Sequence, residues 1–354
     1  MALAIGVWLP AFLDPANGAS TYTSTAASLA ALDDYIDAVG TPAACALSST
    51  QGAFSGPAPL AAGFPDFDLM TGIASRGIVP VIYWAPSGTL PRVWQNWADG
   101  MFDEGLDGWC TDYRNWIMQP EMVGLSTTVI IRLAQEMNGS FFPYGVTVNG
   151  NTVTRFKNGW RHFHDRIRVV NGCTDVGLFW CPFNTHNPKS PTEVWPGTAA
   201  NPYCQYMGID AYPHTTDDDP PVWADVNSMR ATLNTMYNEV TALDPDLPFA
   251  VGESGISIGG AANGFYTDQQ RRSWIDGTQP WNGTGSAGGF EWVAANHPRT
   301  RLFMYFDISG WALHSQASYP LLYGAMSDAL TTYANPFDVT GQPVSAPAMP
   351  LSFG

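Results

Sequence analysis

Two glutamates occupy matching places in the sequence, each just after a short strand-like run of apolar and β-branched residues. Glu136 follows residues 127–133 and precedes Met-Asn-Gly, and Glu253 follows residues 249–251 and is flanked by small residues. If both runs are strands of one parallel barrel, the two carboxyl groups face a shared mouth. Such a pair suits cleavage of a glycosidic bond, because one carboxyl protonates the leaving oxygen while the other attacks or shields the positively charged sugar carbon.

The elements that would position these glutamates alternate along the chain between strands and helices. Apolar, β-rich runs predict strands at 4–9, 43–47, 78–84, 127–133, 176–181, 206–210, 248–252 and 301–306. Helical patterns lie between them, including 25–39, 66–76, 155–170, 222–243 and 316–333. This alternation is typical of parallel βαβ units. It predicts an α/β fold, a single (β/α)8 TIM barrel whose active site lies where the strands end.

The same pattern predicts one folded domain. No repeat, low-complexity block or linker divides residues 1–334, so we expect them to form the barrel. Residues 335–354 contain four prolines and no periodicity, which predicts a short extended C-terminal tail.

Charge and composition restrict the class of partner. The 354 residues carry a formal net charge of −16, which argues against nucleic acid or an anionic membrane surface as a partner. No apolar stretch reaches the roughly 20 residues that a membrane span needs, so we expect no membrane insertion. A neutral polysaccharide is compatible with this charge. Residues 1–12 lack the basic region and cleavage site of a signal peptide, and the expected location is extracellular or virion-associated.

Neither metal nor organic cofactor is expected. The five cysteines show no metal-binding spacing, and an odd number cannot all pair with one another. His162 and His164 are two residues apart on a predicted helix and therefore face different directions. Two carboxyl groups supply both the proton and the nucleophile that glycoside cleavage requires.

Several ordered motifs resemble those of glycoside hydrolase family 26, whose best-known members are β-mannanases. The family's fourth-strand motif, which runs Arg-x-x-His-Glu-Met-Asn-Gly and continues to an aromatic residue and Pro, is similar to residues 132–143. Trp160-Arg161-His162 resembles a family helix, and residues 180–184 resemble a strand that ends Trp-x-Pro-Asn. Residues 208–212 match Gly-x-Asp-x-Tyr, and residues 253–255 match Glu-x-Gly.

The resemblance implies a role for each matching residue. Glu136 would be the acid/base and Glu253 the nucleophile of a retaining reaction, with the two carboxyls roughly 5–5.5 Å apart. Tyr212 would hydrogen-bond the nucleophile, and Trp311 would form the floor of the cleft beneath the cleaved sugar. The predicted substrate-binding residues are Arg132, Gln135, Asn138, Phe141, Trp180, Tyr212 and Trp311. For Arg132 a structural role, as a buried charge satisfied by barrel carboxylates, is an equally good interpretation.

Two departures from the family pattern bear on the substrate. Gln135 stands where the family usually has His, and Phe141 stands where it usually has Trp. An amide hydrogen-bonds sugar hydroxyls, but it does not titrate as histidine does. The chemistry is compatible with these changes, whereas a preference for mannan does not follow from the resemblance.

Two function classes remain. The first is a retaining endo-glycoside hydrolase that cuts a mannan-like or cell-wall or capsule glycan by a two-glutamate double displacement. The alternative is a non-catalytic or weakly catalytic carbohydrate-binding subunit of a larger assembly such as a phage tail. An acyl-transfer enzyme has no support, because the chain contains no Gly-x-Ser-x-Gly.

Overall fold

Eight parallel strands close into a barrel in the computed structural model of the chain, with neighbouring strands paired in sequence order and the first paired with the last. The strands are β1 (Ala4–Trp8), β2 (Ala44–Ser48), β3 (Val79–Trp84), β4 (Val129–Leu133), β5 (Val176–Trp180), β6 (Tyr206–Asp210), β7 (Phe249–Ser254) and β8 (Thr300–Phe306). The structure describes residues 4–8, 24–39, 44–48, 64–86, 90–184, 186–211, 226–255 and 289–306. The predicted TIM barrel is confirmed, and every strand lies within two residues of its predicted bounds.

Helices connect the strands. They are α1 (Thr25–Val39), α2 (Phe67–Ala74), α3 (Val93–Ala98), α4 (Asp103–Ile117), α5 (Val153–His164), α6 (Pro191–Val194), α7 (Val226–Thr241) and α8 (Gly289–Asn296). None of the helices described combines the length and apolar character that a bilayer crossing requires. The predicted helix at 316–333 and the tail at 335–354 lie outside the described residues.

The central strands are buried on both faces. Every residue of β4, β5 and β6 is buried, as expected for a parallel sheet that encloses a packed interior and is covered by helices. Gly208 allows β6 to approach β7, because a Cβ at this position would lie 1.8 Å from the main-chain oxygen of Ala250. A side chain at Gly208 would therefore displace the strand that carries Asp210.

Aromatic side chains fill the space between β3 and helices α3 to α5. Trp84 is fully buried, and its ring centroid lies 5.7 Å from that of Trp109 and 5.4 Å from that of Phe163. Trp97 packs 5.0 Å from the same phenylalanine. The tryptophans of this layer serve packing and present no face to a sugar.

Helix α5 departs from its predicted pattern at its carboxyl end. The spacing of Phe156, Trp160, Phe163, Ile167 and Val170 predicts one continuous buried face over 155–170. The first four are fully buried, but Val170 is 63% exposed. Residues Asp165–Val170 form a π-helical segment. Its wider turns rotate Val170, the last residue of the pattern, away from the core.

Candidate active site

The carboxyl ends of β4, β6 and β7 bring four ionisable side chains together. Arg132 lies on β4, Asp210 ends β6, Glu253 lies near the end of β7, and Glu136 follows β4 in a turn. Asp210 is the register partner of Glu253, after a register shift that starts at Ile209. Glu136 hydrogen-bonds the Asp210 side chain. We call Arg132, Glu136, Asp210 and Glu253 the rim cluster.

Arg132 links two of the three carboxylates. It is fully buried, and it donates from Nη1 to Glu253 Oε1 and from Nη2 to Asp210 Oδ2. Burial alone would lower the Arg132 pKa, but the negative charges of Asp210 and Glu253 outweigh that effect and raise the pKa well above its usual value. Arg132 therefore stays cationic and holds Glu253, whose side chain is 13% exposed, beside the solvent-facing mouth.

Backbone strain sets the position of Glu136. Ala134 and Glu136 have positive φ angles of 46° and 53°, a conformation that residues with a Cβ rarely adopt. Main-chain bonds to both neighbouring strands hold it: the Ala134 N–H donates to Trp84 O at 2.7 Å, and the Glu136 N–H donates to Cys181 O at 2.8 Å. The fold thus stabilises an otherwise costly turn at the residue predicted to act as acid/base.

Glu136 and Asp210 hold protons more tightly than ordinary carboxyl groups. Burial raises the pKa of Glu136 well above its usual value, and the negative charges of Asp210 and Glu253 raise it further. Burial also raises the pKa of Asp210 to about 8, against the opposing influence of Arg132. Because Asp210 already accepts hydrogen bonds from two other side chains, Arg132 and Cys181, we place the proton that it shares with Glu136 on Glu136.

Gly252 provides the space in which this cluster is packed. A Cβ at this position would lie 2.6 Å from Cys181 Sγ, 2.9 Å from Asp210 Oδ1 and 3.1 Å from Arg132 Nε. Position 252 therefore needs glycine because Cys181, Asp210 and Arg132 leave no room for a Cβ there, and not because the backbone makes a turn.

The segment that carries the rim cluster matches a known protein family. The sequence model for glycosyl hydrolase family 26 matches residues 119–277, which include all four cluster residues. This segment is similar to glycosyl hydrolase family 26. The similarity supports a glycoside hydrolase.

Solved structures with the same barrel include several from this family. An endo-β-1,4-mannanase double mutant from Cellulomonas fimi is 15% identical, covers 95% of this chain and 71% of its own, and gives a TM-score of 0.60. Mannanase man26 from Bacillus subtilis is 17% identical, with 91% and 83% coverage and a TM-score of 0.55. GH26C from Muricauda sp. MAR_2010_75 is 12% identical, with 93% and 85% coverage and a TM-score of 0.60. At these identities the likeness concerns the fold. No curated protein sequence matches the chain.

Two residues predicted to bind substrate in this barrel are fully buried. Asn138 donates to the main-chain oxygens of Phe183 at 3.1 Å and Lys189 at 3.0 Å, and its Oδ1 accepts from the Phe183 N–H at 2.6 Å. The Trp180 ring packs 4.9 Å from that of Trp195. Neither side chain is accessible to a sugar, so we revise their predicted role from substrate contact to positioning of the loops after β4 and β5.

The other predicted binding residues differ in exposure. Phe141 is 55% exposed and packs edge-to-face against Phe142 and Phe183, with ring centroids 4.9 and 5.4 Å away. Gln135 is 5% exposed, and its Oε1 has no hydrogen-bond partner in the structure as described. Such an orphaned acceptor suits a sugar hydroxyl. Tyr212 and Trp311 lie outside the described residues, and their roles remain predictions.

The sequence-based interpretation assigns no role to two residues of the site, Asp210 and Cys181. Asp210 appears there only as part of the Gly-x-Asp-x-Tyr motif, although a third carboxylate at a strand end was a sufficient signal. Cys181 is fully buried and contacts Asp210, and nothing in its sequence context distinguishes it from a core residue. Among the residues that the structure describes, no group of three or more His, Cys, Asp or Glu side chains is arranged to hold a metal ion.

Proposed function

We propose that this chain is a retaining endo-glycoside hydrolase of family 26 in which Glu136 is the acid/base and Glu253 is the nucleophile. The observation that carries the proposal is the contrast between these two carboxyl groups. Arg132 donates directly to Glu253, whereas burial and neighbouring negative charge raise the pKa of Glu136. Environments that separate two carboxyl groups in this way suit one acid and one nucleophile near neutral pH.

The proposed reaction has two steps. Glu136 first donates its proton to the glycosidic oxygen while an oxygen of Glu253 attacks the anomeric carbon, which breaks the glycosidic bond and forms a glycosyl-enzyme ester. Glu136, now ionised, then takes a proton from water, and that water attacks the same carbon and releases Glu253. Arg132 supports the first step because its hydrogen bond holds the Glu253 carboxyl group in place.

The substrate that we propose is an uncharged polysaccharide with a mannan-like backbone. Endo-β-1,4-mannanases among the structures with the same barrel support this class. The net charge of −16 disfavours a polyanionic glycan. Gln135 replaces the usual family histidine beside the acid/base, so a related cell-wall or capsule backbone is included in the class to be tested.

The test begins with purified protein and a panel of mannans, glucans, arabinans and bacterial wall polysaccharides. New reducing ends measure cleavage, the size distribution of early products distinguishes endo from exo action, and proton NMR of the first product reports the anomer. We expect retention. We expect Glu253→Ala to lose about 10³-fold or more of the activity, and Glu136→Gln about 10²- to 10⁴-fold.

Glu121→Gln is the matched control, because Glu121 is an exposed glutamate outside the rim cluster. It should cut glycans as the wild type does. If wild type and Glu253→Ala behave alike on every glycan that binds, the proposal is wrong and the chain is a carbohydrate-binding component.

A further inference from the structure

The thiol of Cys181 is an unassigned hydrogen-bond donor inside the rim cluster. Cys181 directly follows β5 and is fully buried, and its Sγ lies 3.2 Å from Asp210 Oδ1. Burial raises the pKa of this thiol well above its usual value, so the group stays protonated. A neutral thiol facing a carboxylate oxygen is a donor. Cys181 is a free thiol, as are Cys110, Cys173 and Cys204.

Cys181 contacts both carboxyl-bearing residues that share the proton. Its main-chain oxygen accepts from the Glu136 N–H at 2.8 Å, while its side chain donates to Asp210. Arg132 occupies the other oxygen of Asp210. The absence of a side chain at Gly252 leaves room for the thiol, since a Cβ there would lie 2.6 Å from Cys181 Sγ. The main-chain hydrogen bond from Glu136 and the space beside Gly252 therefore keep the Cys181 thiol next to Asp210.

We propose that Cys181 is a positioning residue for catalysis: its thiol stabilises Asp210 as a carboxylate, and Asp210 in turn keeps the shared proton on Glu136. This inference rests on the proposed acid/base role of Glu136. Within the described ranges, the charged or titratable groups that face the pair are Arg132 and Tyr83 from the neighbouring strands β4 and β3, Tyr144 after β4, Cys181 after β5, and Glu253 on β7.

Removal of the thiol has a defined consequence for proton placement. Without this donor Asp210 binds a proton more readily, because one of the hydrogen bonds that favour its charged form is lost. The shared proton then moves from Glu136 to Asp210. A neutral Asp210 no longer repels an ionised Glu136, so the pKa of Glu136 falls and the general acid is lost at a lower pH.

The decisive measurement needs no substrate. Protein labelled with ¹³C at the glutamate side-chain carboxyl is titrated by NMR, and the Glu136 resonance is assigned by its absence in Glu136→Gln. We expect the Glu136 midpoint to fall by about one pH unit in Cys181→Ala, corresponding to a tenfold change in the protonation equilibrium. Cys181→Ser keeps a donor at the same place and should restore most of the wild-type midpoint.

Matched variants separate proton placement from packing. Cys204→Ala removes an equally buried thiol outside the cluster and should leave the midpoint unchanged. Cys181→Ser and Cys181→Ala both shorten the side chain, so equal midpoints in these two variants would overturn the proposal. An unchanged midpoint in folded Cys181→Ala would do so as well. If Cys181→Ala does not fold, Cys181→Thr and Cys181→Val give the same comparison of donor with non-donor.

Kinetics provide a second readout once a glycan is identified. An aryl glycoside with a very acidic leaving group needs little help from a general acid, whereas the polysaccharide needs it fully. Cys181→Ala should therefore lose about tenfold more kcat on the polysaccharide than on the aryl glycoside. A wild-type protein that cleaves no glycan would contradict the proposed function but leave the NMR result standing. An active wild type with unshifted titrations would contradict only the role of Cys181.

Discussion

At the carboxyl end of the barrel Arg132 donates to the carboxylates of Asp210 and Glu253, whereas at the amino end Arg299 donates to main-chain carbonyls. The partners of Arg299 are Thr241 O at 2.8 Å, Asp244 O at 2.6 Å and Leu247 O at 3.1 Å from its Nε. Burial lowers the pKa of Arg299, while neighbouring carboxylates raise that of Arg132.

The two arginines differ in whether their hydrogen-bond partners can change charge. Main-chain carbonyls do not titrate, so the side-chain hydrogen bonds of Arg299 tie the loop after α7 to the start of β8 without changing a charge. The partners of Arg132 are ionisable, and Arg132 opposes the rise that burial causes in the pKa of Asp210. The candidate active site thus lies at the carboxyl end of the barrel, whereas the contacts of Arg299 at the amino end stabilise the fold. TIM barrels in general place their active sites at the carboxyl ends of the strands.

Arg132→Met should produce the largest effect. It leaves two buried carboxylates without their cation, and we expect a loss of about 3–5 kcal/mol in the free energy of unfolding, together with about 10³-fold or more in activity. Urea unfolding and reducing-end assays measure the two losses. Arg132→Lys keeps the charge without the two-pronged geometry and should recover stability better than activity. Full activity in Arg132→Met would contradict the assignment of Arg132 to the site.

Arg299→Met should affect stability alone. Three carbonyls lose a charged donor, so we expect a loss of about 3 kcal/mol in the free energy of unfolding and less than about a twofold change in kcat. The same two assays apply, at a temperature where both proteins are folded. A large fall in kcat would remove the proposed contrast between the two ends.

The sequence predicts the two ends of the barrel to different extents. Strand positions follow from local apolar runs, and that was enough to place Glu136 and Glu253 at the rim. The alignment of Asp210 with Glu253 depends on the β6–β7 register shift, which the sequence pattern does not reveal. Helix α4 was not predicted, although Leu106, Trp109, Tyr113 and Trp116 recur at helical spacing and are buried.

Other features have no local signal at all. The positive φ of Glu136 arises from main-chain bonds to Trp84 and Cys181, which are distant in the chain. The exposure of Val170 follows from one widened turn in an otherwise regular pattern. Contacts with neighbouring strands decide the conformation of Glu136, and a local change in helix geometry decides the exposure of Val170; the periodicity of apolar residues reports neither.

The two ends should also respond to pH in opposite directions. His297 precedes β8, is fully buried and hydrogen-bonds Asn234 at 3.0 Å, and burial lowers its pKa to about 4. The folded protein therefore binds fewer protons than the unfolded chain between about pH 6.5 and about pH 4, and stability is lost as the pH falls through that range. The raised pKa of Glu136 acts oppositely, because burial makes the folded protein hold this proton more tightly than the unfolded chain does, and the stability it contributes is lost as the pH rises above the ordinary range of a carboxyl group.

We expect His297→Gln to flatten the acid side of the stability curve by up to roughly 3 kcal/mol, and Glu136→Gln to flatten the alkaline side. Urea unfolding at a series of pH values measures both. His186→Gln, a change at a histidine whose side chain is 55% exposed, is the control and should leave the curve nearly unchanged. A wild-type curve with no acid decline would contradict the role of His297.

Gly252→Ala tests how tightly the catalytic end is packed. The added Cβ would crowd Cys181, Asp210 and Arg132, so we expect a loss of about 2 kcal/mol in stability and a clear fall in kcat. Gly108→Ala is the matched control, because a Cβ at Gly108 in α4 meets no atom within 4 Å. That substitution should stabilise the protein by up to about 1 kcal/mol and leave kcat unchanged. Equal behaviour of the two variants would mean that the cluster tolerates displacement.

Phe141→Ala should give the smallest effect, and it asks whether an exposed aromatic at the mouth binds sugar. Phe141 is 55% exposed, so truncation should change the free energy of unfolding by less than about 1 kcal/mol. Loss of one stacking face should raise KM about fivefold without changing kcat, because binding remote from the cleaved bond is removed equally from ground and transition states. Phe141→Trp, which restores the residue usual in the family, should lower KM. Val123→Ala removes a side chain that is 84% exposed elsewhere on the surface, and an equal rise in KM there would exclude a specific sugar contact at Phe141.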